Sequence, residues 1–273
     1  MLIALTLVLV PERDVVLPAT LGRANHAATL HRLATVDAAL VAALHDSDGP
    51  KPLTCSGIRN APVTRNSVRF RRGERYEVRI TGLTTAVSQA LHAALLETPP
   101  ATWELEHYPF RVEEVICDPA RDGWTGRSDY ATLAAAALLK PGKVDPAVTL
   151  EFASPTAFKS AGMTVPIPLP ALVFGESLPK RWQAFSPVAL DDELRAYSDG
   201  YIAITRYRLE SRPVEQKQRG LRVGGMGRVT YRALEGDRYW LGMMQALAGF
   251  ALYSGVGVMT TSGMGQARRV EDP

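Results

Sequence analysis

The chain has 273 residues, 46% of them hydrophobic, and a formal net charge of +3. This length and apolar content are enough for one large or two ordinary folded domains, and they exclude a disordered protein. The two cysteines, Cys55 and Cys117, lie far apart in sequence without metal-ligand spacing. A reduced, cytoplasmic protein without a disulfide framework is therefore expected.

The first half of the chain predicts the order strand, helices, strands, helix, strand. The apolar segment from Leu2 to Val10 has neither a basic region before it nor a cleavage site, which predicts a β-strand rather than a signal peptide or membrane span. The elements expected after it are a helical region at 19–44, extended pieces at 51–56, 68–72 and 76–83, a helix at 84–97 and an extended segment at 103–116. This order is close to the ferredoxin-like βαββαβ arrangement, whose open sheet face is a common platform for RNA.

A polar break at 118–123 predicts the boundary between two domains, 1–120 and 121–273. The expected elements of the second are a short helix near 130–139, a strand at 148–153, a helix that includes 178–185, a strand at 201–209, a hairpin around Gly224-Gly225, a long terminal helix and a closing strand after Gly265. No sequence repeat is visible, so the duplication is inferred from element order alone. The predicted fold class is α+β, with two tandem ferredoxin-like (RRM-like) domains and antiparallel sheets.

Basic residues are concentrated in two segments of the chain. Residues 59–79 hold seven arginines against two glutamates, and residues 206–232 hold eight basic residues against two glutamates. The segments carry local charges of +5 and +6, which leaves −8 for the rest of the chain. Such segregation points to a polyanion as the partner, although a solvated β-surface is the alternative for either segment alone. The candidate RNA contacts in these segments are Arg65, Arg69, Arg71, Arg72, Arg219, Arg222 and Arg228.

A glycine-rich stretch at 255–265 follows a long apolar helix instead of preceding one. Phosphate-binding loops lie between a strand and the start of a helix, so this order argues against a nucleotide pocket. Its glycines predict positive φ angles and the close approach of something large. We expect Gly255, Gly257, Gly263 and Gly265 to shape or contact the path of RNA, with no catalytic group among them.

The histidines and lysines suggest chemistry without a metal ion. No pair among the five histidines has metal-ligand spacing, and no carboxylate cluster accompanies them, so neither a metal nor another cofactor is expected. His45 ends a predicted helix, and Lys51 follows six residues later. RNA cleavage of this kind needs a base for the 2′-hydroxyl, an acid for the leaving 5′-oxygen and positive charge on the phosphate. A histidine at a helix C-terminus can also be a purely structural cation, and that interpretation stays open.

His31 is the third catalytic candidate. It lies fourteen residues before His45, which is about 21 Å along a straight helix. Thr35 or Asp37 could cap a second helix, and a turn there would bring His31 back toward His45.

Three motifs resemble those of the CRISPR-associated endoribonucleases that cut repeat RNA into guide units. Near the N-terminus, Ala43-Leu44-His45 and residues 51–56 are similar to the family's leucine-histidine, spacer and lysine-proline-phenylalanine-threonine-x-serine pattern. In the middle, residues 152–158 resemble its second-domain strand and turn, and Arg181-Trp182 matches an arginine-tryptophan in the helix beyond. Residues 251–265 are similar to its C-terminal glycine-rich signature.

The resemblance implies metal-independent cleavage of precursor CRISPR RNA within repeats, which gives 5′-hydroxyl and 2′,3′-cyclic phosphate ends. By position, it implies His45 as general acid or base and Lys51 as the group that stabilises phosphate charge. His31 stands at or next to a place where some members have a catalytic tyrosine. The implied partner is CRISPR repeat RNA. Subunits of a CRISPR effector complex and a second copy of the chain are further candidate partners, and no membrane is expected.

Two alternatives to the endoribonuclease stay open. Some members of this family bind RNA without cutting it, so the first alternative is a noncatalytic RNA-binding subunit of a CRISPR effector complex. The second is an unrelated ferredoxin-like RNA-binding protein. That protein class usually carries an aromatic-rich signature, whereas Phe70 and Tyr76 are the only aromatic residues in the first basic segment.

Overall fold

The computed structural model describes residues 1–46, 48–62, 64, 67–139, 141–215 and 220–271. The chain divides into two compact units. The first consists of Met1–Arg127 and Met259–Gly263, and the second of Ser128–Val258 and Met264–Pro273. The C-terminal glycine-rich stretch is therefore shared between the units.

The first unit is built on an antiparallel sheet with the strand order β3-β5-β1-β7-β6. Its strands are β1 (Leu2–Val10), β3 (Leu53–Cys55), β5 (Tyr76–Gly82), β6 (Thr102–Leu105) and β7 (Tyr108–Ile116). A separate ribbon pairs β2 (Val15–Pro18) with β4 (Ser67–Phe70). The strand β8 (Gly126–Ser128) contains the point in the sequence where the first unit ends and the second begins.

The helices of the first unit follow β1 and β5. They are α1 (Gly22–Ala34), α2 (Ala38–Asp46) and α3 (Thr85–His92), which continues into a π-helical turn at Ala93–Glu97. Asp37 caps α2, because its Oδ1 accepts a hydrogen bond from the backbone N–H of Leu40 at 2.8 Å. The predicted break in the helical region is thus confirmed, with Asp37 as the cap.

Both faces of the first sheet are covered. Leu5 and Leu7 of β1 belong to the hydrophobic core. On the other face, Thr6 pairs in register with Arg79, and both are fully buried. Nε of Arg79 donates a hydrogen bond to the carbonyl of Trp124 at 2.6 Å, and the guanidinium lies 5.6 Å from the centre of that indole ring. The loop that carries Trp124 therefore covers this face of the sheet at Thr6 and Arg79.

The second unit has a four-stranded sheet with the order β12-β13-β9-β14. Its strands are β9 (Ala147–Thr156), β12 (Ile202–Glu215), β13 (Leu221–Ala233) and β14 (Ala267–Val270), with a separate ribbon of β10 (Phe158–Ser160) and β11 (Met163–Val165). Its helices are α4 (Tyr130–Leu138), α5 (Pro170–Leu172), a π-helical turn at Val173–Ser177, α6 (Leu178–Phe185), α7 (Leu194–Tyr201) and α8 (Arg238–Ser254).

The two units share one topology. In each, the four main strands taken in chain order lie in the spatial order 2-3-1-4, with helices in the two crossovers. This is the ferredoxin-like βαββαβ arrangement. The predicted fold class of two tandem ferredoxin-like domains with antiparallel sheets is confirmed.

Gly224 and Gly225 lie inside β13, and not at the turn of the hairpin. Both are buried where another part of the chain approaches the strand. A Cβ atom on Gly224 would lie 2.7 Å from the backbone N of Thr156, and one on Gly225 would lie 2.6 Å from the carbonyl O of Pro166. These glycines therefore mark close packing along β13, which is a different structure from the turn that the sequence suggests.

No helix within the described ranges is long and apolar enough to cross a membrane.

Candidate functional site

The helices α1 and α2 place two histidines at similar distances from the turn that connects the helices. α2 packs against α1 after a connection of three residues, and such a short connection makes neighbouring helices antiparallel. His26 lies eight residues before the end of α1, and His45 lies seven residues after the start of α2. At about 1.5 Å per residue, both are about 10–12 Å from the turn. His26 is therefore the residue of α1 that stands level with His45.

Lys51 is held at the same end of α2. Its Nζ donates a hydrogen bond to the carbonyl of Leu44 at 2.8 Å. Carbonyls in the last turn of a helix lack helical partners and carry partial negative charge, so an ammonium group is favoured there. Because Leu44 directly precedes His45, the structure brings together the two catalytic candidates that the sequence pattern connects.

His26 completes a cluster with these two residues. It is half-buried, and its pKa lies below the ordinary value of 6.5. Burial is the main cause, followed by the positive charges of Lys51 and His45. The neutral imidazole is therefore favoured near neutral pH, and a neutral imidazole accepts a proton. We refer to these three residues as the His26–Lys51–His45 cluster.

His31 lies on a different side of α1. Five residues separate it from His26, which is a rotation of about 140° around the helix axis. His31 is exposed and lines a groove of about 730 Å³ together with Thr35, Thr102 and His107. The structure therefore brings His26, and not His31, to His45 and Lys51. The sequence signal for His26 is its distance from the helix break, which nearly equals that of His45.

Buried hydrogen bonds next to His26 fix the position of α1. The side chain of Asn25 is fully buried, and its Nδ2 donates to the carbonyl of Ser56 at 3.0 Å. Its Oδ1 accepts a hydrogen bond from Nε1 of Trp103 at 3.1 Å. Polar groups that are buried and fully paired hold their neighbours in one arrangement. Asn25 thus ties α1 to the end of β3 and to β6.

The first unit's part of the glycine-rich stretch packs on the start of α1. The carbonyl of Thr260 accepts a hydrogen bond from the backbone N–H of Cys55, and the N–H of Gly263 donates to the carbonyl of Cys55, both at 3.0 Å. Gly22 is the first residue of α1, and a Cβ atom there would collide with the carbonyl of Ser262. Gly263 has a φ of +97°, which favours glycine. This segment therefore supports both α1 and β3.

The second unit's part of the stretch is held by a half-buried arginine. Nη2 of Arg181 donates to the carbonyl of Gly257 at 2.6 Å, and the N–H of Gly257 donates to Oγ of Ser177 at 2.7 Å. Burial lowers the pKa of Arg181 to about 10, which leaves the guanidinium charged at neutral pH. A Cβ atom on Gly257 would collide with the carbonyl of Ala157. In both units the glycines thus admit the protein's own backbone.

Contact between RNA and the four glycines of this stretch stays a prediction. Gly255 and Gly265 also have positive φ angles, of 61° and 70°. The carbonyl of Gly265 accepts a hydrogen bond from the N–H of Val256 at 2.8 Å.

Several arginines of the first basic segment are paired within their own unit. Arg59 forms ion pairs with Glu77 at 3.4 Å and with Asp122 at 3.5 Å. Arg75 forms an ion pair with Glu113 at 2.7 Å. Together with the buried Arg79, these residues reduce the charge that the segment presents to a partner.

The remaining candidates of this segment cluster at the ribbon of β2 and β4. Arg69 is exposed on β4, and Arg71 and Arg72 are exposed just after it. Arg71 forms a solvent-exposed ion pair with Glu74 at 3.7 Å, a type of contact that contributes little to stability. The candidates Arg65 and Arg219 lie outside the described residues.

The second unit carries a line of arginines on one face of its sheet. Arg208 on β12, Arg228 on β13, Glu151 on β9 and Arg268 on β14 stand directly opposite one another across the four strands. We call these four residues the arginine row. Val229 follows Arg228 on β13 and, like Tyr231, belongs to the other face of the sheet. On that face Tyr231 packs against the helices and is fully buried.

Glu151 balances only part of this positive charge. It accepts hydrogen bonds from Arg228 at 3.1 Å and from Arg268 at 2.8 Å. Burial raises the pKa of Glu151, but the bonds from the two arginines outweigh burial and hold it below its ordinary value. Arg232 is exposed two positions after Thr230 on the same face, and Arg222 lies farther out, opposite Val214. The face therefore keeps a net positive charge.

Comparisons with known proteins agree with the motifs in the sequence. The family model described as CRISPR-associated endoribonuclease Cas6 matches residues 150–267. The product complex of Cas6 (TTHB231), a protein of Thermus thermophilus, is 25% identical with a TM-score of 0.80, over 99% of this chain and 100% of that chain. The product complex of Cas6 (TTHA0078) is 28% identical with a TM-score of 0.75, over 99% of both chains. This chain is similar to Cas6 proteins in sequence over residues 150–267 and in fold over its whole length. No curated protein matches its sequence.

More distant structures share only the fold with this chain. A structure described as a RAMP protein binding different RNA substrates is 13% identical with a TM-score of 0.61, over 98% of this chain and 100% of that chain. Within the ranges that the structure describes, no three His, Cys, Asp or Glu side chains are grouped so that they could hold a metal ion.

Proposed function

We propose that this chain is a Cas6 endoribonuclease that cuts CRISPR repeat RNA without a metal ion, and that His26, Lys51 and His45 perform the reaction. The His26–Lys51–His45 cluster is the observation that carries the proposal. It combines a neutral imidazole, an ammonium group and a second, exposed imidazole at one end of a helical hairpin. The similar Cas6 (TTHA0078) structures, described as a product complex and a substrate mimic complex, support the enzymatic function.

His26 is the general base in this proposal. Its neutral imidazole takes the proton of the 2′-hydroxyl next to the scissile phosphate. The 2′-oxygen then forms a bond to phosphorus, and the bond between phosphorus and the 5′-oxygen breaks. A base must be unprotonated to act, and the lowered pKa of His26 keeps it so at neutral pH.

His45 and Lys51 serve the other two roles. His45 donates a proton to the leaving 5′-oxygen, and the ammonium group of Lys51 stabilises the negative charge that grows on the phosphate oxygens. The products are a 5′-hydroxyl and a 2′,3′-cyclic phosphate, and no water molecule is consumed. The bond from Lys51 to the carbonyl of Leu44 fixes the ammonium group beside His45.

The arginines supply the binding surface for the RNA in this proposal. The three arginines of the arginine row and Arg222 of the second unit, with Arg69, Arg71 and Arg72 of the first, contact phosphates. Such contacts position RNA without reading its sequence. The proposed partner is the repeat RNA, and binding to effector-complex subunits or to a second copy of the chain stays a prediction.

The test is cleavage of the cognate repeat RNA in EDTA under single-turnover conditions. We expect the native protein to cut once per repeat and to leave cyclic phosphate ends. Because a general acid or base contributes about 10²–10⁴-fold, His26→Ala and His45→Ala should each lower the rate by that order. Lys51→Ala should also lower it strongly. His31→Ala is the matched control, since this exposed histidine of the same helix lies on another side, and its rate should stay near native.

Two results would contradict the proposal in different ways. Tight repeat binding without strand scission by the native protein would favour the noncatalytic RNA-binding subunit. A native cleavage rate in His26→Ala, together with a large loss of rate in His31→Ala, would show that His31 acts as the general base instead of His26. A repeat with a 2′-deoxy sugar at the cut site should bind normally and resist cleavage in every variant.

A further inference from the structure

One tyrosine of the second unit has a largely exposed side chain. Tyr207 lies on β12 and is 70% exposed. The two other tyrosines with large exposure contact aromatic rings: Tyr201 stacks on Tyr197 with 5.7 Å between ring centres, and Tyr239 lies 5.6 Å from Trp240. Within the part of the chain that the structure describes, Tyr207 makes no ring contact and no side-chain hydrogen bond. Ring contacts and hydrogen bonds within the fold therefore do not explain why a tyrosine is present at this position.

The surroundings of Tyr207 are strongly basic. It stands between Arg206 and Arg208, both exposed, and strand alternation directs these two side chains to the opposite face. Arg208 is directly opposite Arg228 on β13. Like charges at directly opposed positions destabilise a sheet, and a bound polyanion relieves that repulsion. The backbone positions around Tyr207 thus favour an anionic ligand over an uncharged one.

The position of β12 makes both of its faces accessible to one ligand. β12 is the outer strand in the order β12-β13-β9-β14. A strand of RNA that passes over this edge can place phosphates at Arg208 while one base lies at Tyr207. An aromatic ring stacks on any base, whatever its sequence.

We propose that Tyr207 is a stacking platform for an unpaired base of the repeat RNA. The neighbouring arginines hold the RNA strand at the edge of β12 through contacts with its phosphates. This inference rests on the proposed function, because it names the contact that the same RNA makes in the second unit. Tyr207 is a binding residue far in sequence from the His26–Lys51–His45 cluster, and it has no part in the chemical step.

The experiment uses repeat RNAs in which single bases are replaced by the fluorescent base 2-aminopurine. Native protein should quench the fluorescence at one position or two adjacent positions, because stacking on an aromatic ring quenches this base. Tyr207→Leu should remove that quench and weaken binding by about 5- to 140-fold, as expected for the loss of one stacked base. Tyr207→Phe should keep both the quench and the affinity, since the ring remains.

The matched control is Tyr239→Leu, which removes another exposed tyrosine of the same unit and should change neither readout. Because Tyr207 is largely exposed, the variants should unfold at the native temperature. Native affinity and quenching in Tyr207→Leu would overturn the stacking proposal alone. A Tyr207→Leu variant that binds RNA normally but loses binding to another protein would overturn it in favour of a protein contact. Failure of the native protein to bind any repeat RNA would instead overturn the proposed function itself.

Discussion

His26 lies close to two positive side chains, and this placement makes a prediction about its titration. Burial and the charges of Lys51 and His45 lower its pKa below 6.5. Lys51→Gln removes one of the two charges, so the pKa of His26 should rise toward the ordinary value. The measurement is an NMR titration of the His26 ring in the free protein. The control is Lys159→Gln, an exposed lysine of the second unit, which should leave the titration unchanged.

The same placement fixes the direction of the pH dependence of catalysis. A general base acts only when unprotonated, so kcat/KM falls as pH drops through the pKa of the base in the free enzyme. Because the pKa of His26 is lowered, the native acid limb should have its midpoint below pH 6.5. A midpoint above pH 6.5 in the native protein would contradict the assignment of His26 as the base.

The candidate site can be predicted in part from the sequence, and the missing part has a geometric cause. The spacing of His45 and Lys51 is visible as a motif, and the structure holds both at one end of α2. The sequence suggests His31 because a turn at 35–37 would fold it back. That turn exists, but an antiparallel pair of helices brings together residues at equal distances from the turn. His26 meets that condition, and His31 is too close to the turn.

At the scale of elements, the start of α1 depends on direct backbone contact with the glycine-rich stretch. Gly22→Ala would place a methyl group against the carbonyl of Ser262, so the segment or the helix must shift. We expect a loss of about 1–3 kcal/mol in the free energy of unfolding, typical of overpacking a buried position. Urea denaturation of the full chain, followed by tryptophan fluorescence, to which Trp103 and Trp124 of the first unit contribute, measures this loss. Cleavage should also slow, because α1 carries His26.

The control for Gly22→Ala is Gly200→Ala in α7. No atom lies within 4 Å of a Cβ at Gly200, and alanine is the better helix former. This variant should therefore be as stable as the native protein or slightly more so. Equal stability of Gly22→Ala and the native protein would show that the contact seen at Ser262 does not constrain α1.

The order of the helices and strands can be predicted from the sequence, whereas the contacts between distant segments cannot. Hydrophobic periodicity and turn residues are local signals, and they predict the βαββαβ order in both halves. The pair Gly224-Gly225 carries the same local signal as a turn, but it serves close packing with Thr156 and Pro166. The glycine-rich signal at 255–265 likewise suggests RNA contact, and Gly257 lies against the backbone of Ala157. Such contacts between distant segments leave no local trace.

At the scale of the whole molecule, charge in the sequence differs from charge on the surface. The two basic segments have similar local charges. In the first unit, however, Arg59 and Arg75 are paired with carboxylates and Arg79 is buried. In the second unit the arginine row has one glutamate for three arginines. We therefore expect the sheet of the second unit to supply more of the electrostatic free energy of RNA binding than arginine counts suggest.

The salt dependence of repeat binding tests this expectation. Removing one ionic interaction with a phosphate lowers the slope of log Kobs against log salt by about 0.7 for single-stranded RNA. The test variant replaces by glutamine three arginines of the second sheet that form no ion pair with another described residue: Arg208, Arg222 and Arg232. The slope should fall by about 2, with weaker binding at every salt concentration. A filter-binding series from about 50 to about 300 mM salt measures it.

The matched control removes the same number of charges from the first unit, where the arginines pair with Glu113 and Glu114. Its members are Arg75, Arg111 and Arg121, each replaced by glutamine. Since these guanidinium groups already neutralise carboxylates, they release few counterions on binding, and the slope should stay near native. An equal fall in both variants would show that net charge alone governs binding. A fall only in the control would move the RNA path to the first unit, because counterion release is a property of the residues that touch phosphate.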